Sequence, residues 1–246
     1  MLADHRRALW YTLALLSAMA LLFVAVGRHP AGVAPRTTFA PIGRLDLIVY
    51  RLMDDARATP LTWLARALNV VGGGGVTIPL RIGVAAWLAL RTRWRALAAW
   101  LLTWATAELV LTWTKAFFHR GRPPAPLVGI TGYSFPSGHA VAASATAVAL
   151  VLVLLPSGPG RRKWEAAAVA FAFLMALSRV YLNAHWLSDV VAGILLGTGV
   201  ALGSAALATE VRDRWLAGRR TSPEPPPPRA SPRLDASSGS SARSDL

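Results

Sequence analysis

The stretch that decides the fold is SRVYLNAHWLSD at 178–189, which runs directly into VVAGILLGTGVALGSAALAT at 190–209. The second half holds no Lys, Arg, Asp or Glu. Its length matches the roughly 20 apolar residues a helix needs to cross a bilayer. The first half ends in His185-x3-Asp189, a spacing that puts an imidazole and a carboxylate on one helix face at the head of that span. A polar, chemically armed turn followed by a charge-free run predicts a membrane helix with chemistry at its mouth.

Working outward, ALWYTLALLSAMALLFVAVG at 8–27 is equally free of charge. Its apolar run exceeds the roughly 7–15 residues of a signal h-region, so an uncleaved span is expected. Pro123 to Gly160 also lacks these four residue types, but Pro and Gly break up its first part, and the apolar run starts near His139. Two further runs hold one mid-span charge each, Arg81 and Glu108, and a third has Glu165 and Arg179 near its ends. The expected fold is all-α: a polytopic membrane protein with a six-transmembrane-helix bundle at 1–217. Its spans are expected at about 8–27, 71–90, 96–117, 139–155, 164–182 and 187–209. Beyond it, residues 218–246 carry the run Pro225–Pro228 and many Ser, a composition too polar to pack a core. A disordered cytoplasmic tail is expected there.

Composition agrees. The 246-residue chain is 54% hydrophobic and 15% charged, against about 25% charged in soluble domains. It has no cysteine, which removes disulfides, thiolate metal sites and cysteine nucleophiles. Its net charge of +14 alone suggests nucleic acid as partner. The positions of the basic residues exclude that reading, because most flank spans rather than forming one patch. His5-Arg6-Arg7, then Arg91, Arg93 and Arg95, then Arg161-Arg162-Lys163, then Arg212, Arg214, Arg219 and Arg220 fall at alternate span ends. Basic residues collect on the cytoplasmic side, so both termini are expected in the cytoplasm and the remaining loops outside.

The first outer segment, 28–69, is expected to hold short interfacial helices. Leu45, Ile48, Val49, Leu52 and Met53 form one stripe, with Asp46, Asp54, Asp55 and Arg57 off it. Thr59-Pro60 reads as N-cap and first turn of a second helix with Leu61, Leu64 and Leu68 on its apolar face. Such helices lie in the interface. They serve either as a cover or as a surface that admits lipid. Gly72–Gly75 is expected to uncouple this segment from the second span. Arg81 and Glu108, at similar depth in antiparallel helices, are expected to pair. Trp10, Trp63, Trp94, Trp113, Trp164, Trp186 and Trp215 fall near predicted interfaces.

Three clusters lie at the outer ends of spans: Lys115-x6-Arg122-Pro123, Pro136-Ser137-Gly138-His139 and Ser178-Arg179-x5-His185-x3-Asp189. Taken singly, Lys115, Arg122 and Arg179 read as snorkelling anchors. Together they are three cations without comparable acids, and guanidinium forks suit phosphate oxygens. Ser137 and Gly138 at a helix N-terminus add an anion site. Asp189 can hold one nitrogen of His185 protonated and leave the other free to attack, with phosphohistidine as the expected intermediate. His139, without such a partner, fits the acid that protonates the leaving oxygen and then the base that activates water. The three cations argue against a zinc ion on His139, His185 and Asp189.

In this order, the clusters resemble the signature of the type 2 phosphatidic acid phosphatases, also called lipid phosphate phosphatases. That resemblance implies Lys115, Arg122, Ser137, Gly138 and Arg179 as phosphate ligands, His139 as acid–base, and His185 with Asp189 as the nucleophile pair. It also implies hydrolysis without a metal or other cofactor. The expected activity is hydrolysis of a lipid phosphate or diphosphate at the outer membrane face, with the lipid phosphate substrate and membrane lipids as partners and no nucleic acid; the sequence leaves the oligomeric state open. Competing readings are a transferase using an acceptor other than water, a non-catalytic lipid-phosphate binder or transporter, and a vanadate-dependent haloperoxidase. The charge-free runs count against the last, whose members are soluble.

Overall fold

A computed structural model describes residues 5–27 and 40–220; the regular structure among them is helical, with no strand. The helices are α1 (His5–Val26), α2 (Ala40–Asp55), α3 (Thr59–Val71), α4 (Gly74–Leu90), α5 (Trp94–Phe118), α6 (Gly138–Leu154), α7 (Pro159–Tyr181) and α8 (Leu187–Arg220). The expected tail lies outside the described residues beyond 220, and α8 continues past the expected boundaries at 209 and 217.

Each of the six apolar runs carries one helix, but they are unequal. Four, α1, α5, α7 and α8, are long and apolar enough to cross a membrane. The α3–α4 pair qualifies as a fifth only jointly, bent by 44° at its break. The 17-residue α6 is shorter, at about 26 Å against a hydrocarbon core of about 30 Å. Four such helices, or five with the bent pair, therefore stand where the charge gaps predicted six. The shortfall arises because α6, bounded by its Ser137 cap and Leu155, has only 17 residues, and because Gly72 and Gly73 break the run that begins at Val71.

Helix α8 is the hub, packing on α1, α5, α6 and α7. Its glycines make this possible. Gly193 and Gly197 face α6, while Gly199 and Gly203 face Leu16 and Thr12 of α1. Small residues let membrane helices approach where apolar burial against lipid gives little drive. At the end of the bundle away from the histidines, Arg93, Arg95, Arg161 and Arg212 line one cleft of about 410 Å³. Three of the four basic clusters thus share an end.

Arg81 and Glu108 do pair, at 2.8 Å. Arg81 also donates to Thr146 Oγ1 at 3.1 Å. The expectation of a buried pair holds for one partner only: the Glu108 side chain is 48% exposed.

The segment between the first two expected spans, described from residue 40 on, differs more. Helix α2 turns Asp46 inward with Val49 and Met53, on the i, i+3, i+7 row, and leaves Leu45, Ile48 and Leu52 outside. The expected single apolar stripe is therefore split, with a carboxylate on the inner row. In α3 the buried residue is Ala65, and Leu61 and Leu64 point outward. Ala58 rather than Thr59 is its N-cap. Trp10, Trp63, Trp94, Trp113 and Trp164 are exposed as anchors would be. Trp186 is not an anchor: it is buried, and its indole donates to the Gly121 carbonyl at 2.9 Å. The Trp215 side chain lies outside the described residues.

Candidate active site

The three clusters meet at one end of the bundle. Helix α5 ends with Lys115 in its last turn, and His119 takes a left-handed conformation (φ 49°) that turns the chain into the 119–137 loop. That loop carries Arg120 and Arg122 across the bundle to Ser137, the N-cap of α6. Arg179 closes α7, and the turn 182–186 delivers His185 before α8 begins.

His185 is buried, and its contacts fix its tautomer. Arg122 Nη1 lies 3.1 Å from His185 Nε2. A guanidinium cannot accept, so Nε2 accepts and keeps its lone pair. The proton is therefore on Nδ1, which donates to the Ser134 carbonyl at 2.8 Å. Asp189 Oδ2 stands 3.5 Å from the same nitrogen. The orienting acceptor is thus a backbone carbonyl that no side-chain motif reveals, and Asp189 acts beside it as a charge.

Asp189 is wholly buried and has a second partner. Arg120 Nη1 donates to its Oδ1 at 2.5 Å, and Arg120 Nη2 donates to Asp46 Oδ2 at 2.7 Å. Arg120 and Asp46 are functional candidates that reading the sequence did not select. Arg120 sits inside the Lys115-to-Arg122 gap, where spacing gives it no role. Asp46 had one available signal, its place in the same helical row as Val49 and Met53.

The phosphate-side cations are differently engaged. Arg179 is fully buried with its Nε unpartnered, and its Nη1 donates to Asn69 Oδ1. A desolvated guanidinium without a carboxylate invites an anion. Arg122 donates to the carbonyls of Thr131, Gly132, Tyr133 and Ala184, and Lys115 donates to that of Tyr133 at 2.6 Å. Both cations are half-buried, Arg122 against the His185 ring and Lys115 behind it, and among the described residues their hydrogen bonds go to neutral groups.

At α6, Ser137 is wholly buried. Its N–H donates to the Asp189 carbonyl at 3.0 Å, and its hydroxyl caps Ala140 N–H at 3.5 Å. Ser137 thus builds the helix N-terminus, and Gly138 and His139, half-buried in the first turn, present it. His139 Nε2 lies 3.1 Å from the Asn69 carbonyl. A carbonyl only accepts, so Nε2 carries the proton there.

A family model described as the PAP2 superfamily matches residues 96–213. Phosphatidylglycerophosphatase B of Bacillus subtilis is 31% identical over 144 residues, covering 55% of this chain and 70% of that protein. The chain belongs to the PAP2 superfamily. A second relative by sequence, an undecaprenyl-diphosphatase of Sulfolobus acidocaldarius, is 41% identical over 78 residues, covering 31% of this chain and 34% of its own length. The crystal structure of the first transmembrane PAP2 type phosphatidylglycerolphosphate phosphatase from Bacillus subtilis superposes with a TM-score of 0.68 at 24% identity. It covers 83% of this chain and 97% of that one, and shows a shared fold. Aquifex aeolicus LpxE superposes with a TM-score of 0.54 at 26% identity, over 64% of this chain and 93% of that one. This PAP2 chain is a membrane protein with several apolar helices.

The electrostatics of the PAP2 site give a pH prediction. Burial pushes His185 down to about 4 from the ordinary 6.5; Asp189 opposes this, and Arg122 and Arg179 reinforce it. The ring is therefore neutral at physiological pH. Because the folded value lies below the unfolded one, the unfolded chain binds more protons between the two. Stability from this group is full above about 6.5 and falls as pH drops towards about 4, by about 3 kcal/mol in all. Melts of the detergent-purified protein between pH 7 and 4.5 should show that loss, and His185→Gln should flatten it. Equal slopes for both proteins would contradict the assignment.

Proposed function

We propose that this protein is an integral membrane phosphatase that hydrolyses a lipid phosphate or diphosphate through a phosphohistidine on His185. The observation that carries the reading is the His185 Nε2 lone pair, held 3.1 Å from Arg122 Nη1 with Nδ1 locked on a carbonyl. A phosphate oxygen that takes over Arg122 brings its phosphorus within reach of that lone pair. The names of the relatives agree on substrate class: one acts on phosphatidylglycerophosphate and one on undecaprenyl diphosphate.

In the first step Nε2 bonds to phosphorus, the bond to the leaving oxygen breaks, and His139 gives that oxygen its proton. In the second, His139 takes a proton from water, the water oxygen bonds to phosphorus, and the P–N bond breaks to release inorganic phosphate. Lys115, Arg122, Arg179 and the N–H groups of Gly138 and His139 stabilise the equatorial oxygens throughout. Ser137 contributes by holding that helix terminus in place. These cations take the part a metal ion would otherwise play, which supports a metal-independent reaction.

We place the six helices α1 and α4–α8 as spans, with α4 and α6 as short ones. The shared end of Arg93, Arg95, Arg161 and Arg212 is assigned to the cytoplasm, which puts both termini there and the histidines at the outer boundary. An amphiphile suits that position, because its tail can stay in lipid while the head group reaches the pocket.

The test is phosphate release from a panel of phosphatidic acid, phosphatidylglycerophosphate and a polyprenyl diphosphate in EDTA. Release from at least one is expected. No release from any substrate would overturn the reading, and release only after a divalent ion is restored would overturn metal independence.

A further inference from the structure

We propose that Asp46, acting through Arg120 and Ser188, sets how much of the Asp189 charge is available to His185, so that α2 of the first outer segment is part of the positioning machinery. This rests on the phosphatase reading above.

Three charges are buried together. Arg120 is 4% exposed, Asp46 1% and Asp189 0%. Charges so far from water persist only when closely matched. Arg120 divides its guanidinium between the two acids, at 2.5 Å from Asp189 Oδ1 and 2.7 Å from Asp46 Oδ2. Ser188 ties the set together. Its N–H donates to Asp46 Oδ1 at 2.9 Å, its hydroxyl donates to Asp46 Oδ2 at 2.7 Å, and the same hydroxyl accepts from Arg120 Nη1 at 2.7 Å. Burial is the largest influence and raises the Asp46 carboxyl above its ordinary value, while Arg120 and Ser188 pull it back down. Arg120 and Ser188 both donate to its oxygens, which is the environment of a carboxylate rather than of a protonated acid. Burial likewise opposes the charge on Arg120, but Asp189 and Asp46 outweigh it and raise its pKa.

This arrangement matters when His185 reacts. Once Nε2 bonds to phosphorus while Nδ1 keeps its proton, the ring becomes cationic. The charged groups around that ring are Asp189 from α8, Arg122 from the 119–137 loop and Arg179 from α7. Lys115 lies beyond them, close enough to interact with both Arg122 and Asp189. Among the described residues, Asp189 is thus the sole anion in direct contact with a ring surrounded by cations. An Arg120 paired with Asp189 alone would cancel it. Asp46 supplies the matching negative charge on the far side of Arg120, so the pair Asp46–Arg120 is neutral and Asp189 keeps its charge for the ring. A helix outside the three motif clusters thereby controls the nucleophile without touching it.

The test is initial-rate kinetics of the full chain in detergent, on the lipid phosphate that the wild type hydrolyses best. Asp46→Asn leaves Arg120 unmatched, and kcat should fall about tenfold or more with KM within about twofold, because Lys115, Arg122 and Arg179 are untouched. The double variant Asp46→Asn/Arg120→Gln removes both charges. It should recover at least about threefold in kcat over Asp46→Asn, despite losing more hydrogen bonds. A mere structural pin between α2 and α8 predicts the opposite order, with the double variant worse. A wild-type kcat for Asp46→Asn, or a double variant no better than the single, would overturn the inference. Where the charge variants do not fold, Ser188→Ala carries the test, since it keeps every charge and removes only the bridging hydroxyl. It should lower kcat about threefold at constant KM, and a wild-type kcat would overturn the inference. A wild type that releases no phosphate overturns the phosphatase reading and this inference with it, whereas an active wild type beside an unaltered Asp46→Asn overturns the inference alone.

Discussion

His185→Ala loses phosphate release by about 10⁴-fold or more, the usual scale for removing a nucleophile from a covalent mechanism. It still binds lipid phosphate to within a few-fold. The separation follows from the geometry. The alanine deletes the lone pair and the ring that Ser134 orients, but it removes no cation. Arg122 keeps its carbonyl partners at Thr131, Gly132, Tyr133 and Ala184, so the pocket does not open when its bond to His185 Nε2 is lost. His139→Ala fails differently. With an aryl phosphate, whose leaving group needs no proton, its first step proceeds and its second lacks a base. Quenching ³²P-labelled reactions in alkaline SDS, which preserves the acid-labile P–N bond, should therefore trap phosphoenzyme in His139→Ala, little in wild type and none in His185→Ala. Label retained by His185→Ala would remove this histidine from the nucleophile's place. Label absent from His139→Ala, with turnover intact, would remove His139 from acid–base work.

What the sequence made legible is what lies within a few residues or repeats along a helix. The four-residue step from His185 to Asp189 needs no tertiary information, and their 3.5 Å approach follows from it. The meeting of Arg81 and Glu108 was legible because two antiparallel helices on one short turn fix relative depth. The three clusters were brought to one end by charge counting alone. By contrast, Asp46 and Ser188 are 142 positions apart, and Asn69 and Arg179 are 110 apart. Neither contact has a periodic signal, since each depends on how the first outer segment folds over the bundle. The Ser134 carbonyl was illegible for another reason: every residue has one, so residue type does not mark it. The span count fell short in the structure because absence of charge records what a segment can tolerate. Length also requires a start and a stop: Gly73 moves the start of α4 inward, and the Ser137 cap and Leu155 hold α6 to 17 residues.

Gly197→Val prevents the bundle from assembling. A Cβ at Gly197 would overlap Ser144 Oγ and lie 2.6 Å from the Val141 carbonyl oxygen and 2.8 Å from the Ala145 nitrogen. The last two atoms are backbone of α6, so no rotamer relieves the clash, and the helices must separate. Separation forfeits close packing along both helices, the principal attraction between apolar helices in lipid. The variant should be recovered as aggregate or not at all. Gly83→Ala makes the contrast, because a Cβ there meets nothing within 4 Å. With better helix propensity and no clash, it should melt at or slightly above the wild-type temperature. A Gly197→Val protein that elutes and melts like wild type would show that the α6–α8 contact is looser than these distances require. Gly193 tests how that contact reaches the chemistry. Its Cβ would meet Ala140 Cβ at 2.7 Å and the Ser137 carbonyl at 2.9 Å, one turn from where Ser137 N–H meets the Asp189 carbonyl at 3.0 Å. Gly193→Ala should therefore shift the α6 N-terminus, with His139 on it, relative to Asp189 while leaving the lower bundle packed. Its kcat should fall about tenfold or more in a protein that still elutes as a folded species. If kcat and melting temperature instead fall together in proportion, the glycine face holds the fold without setting the register of the site.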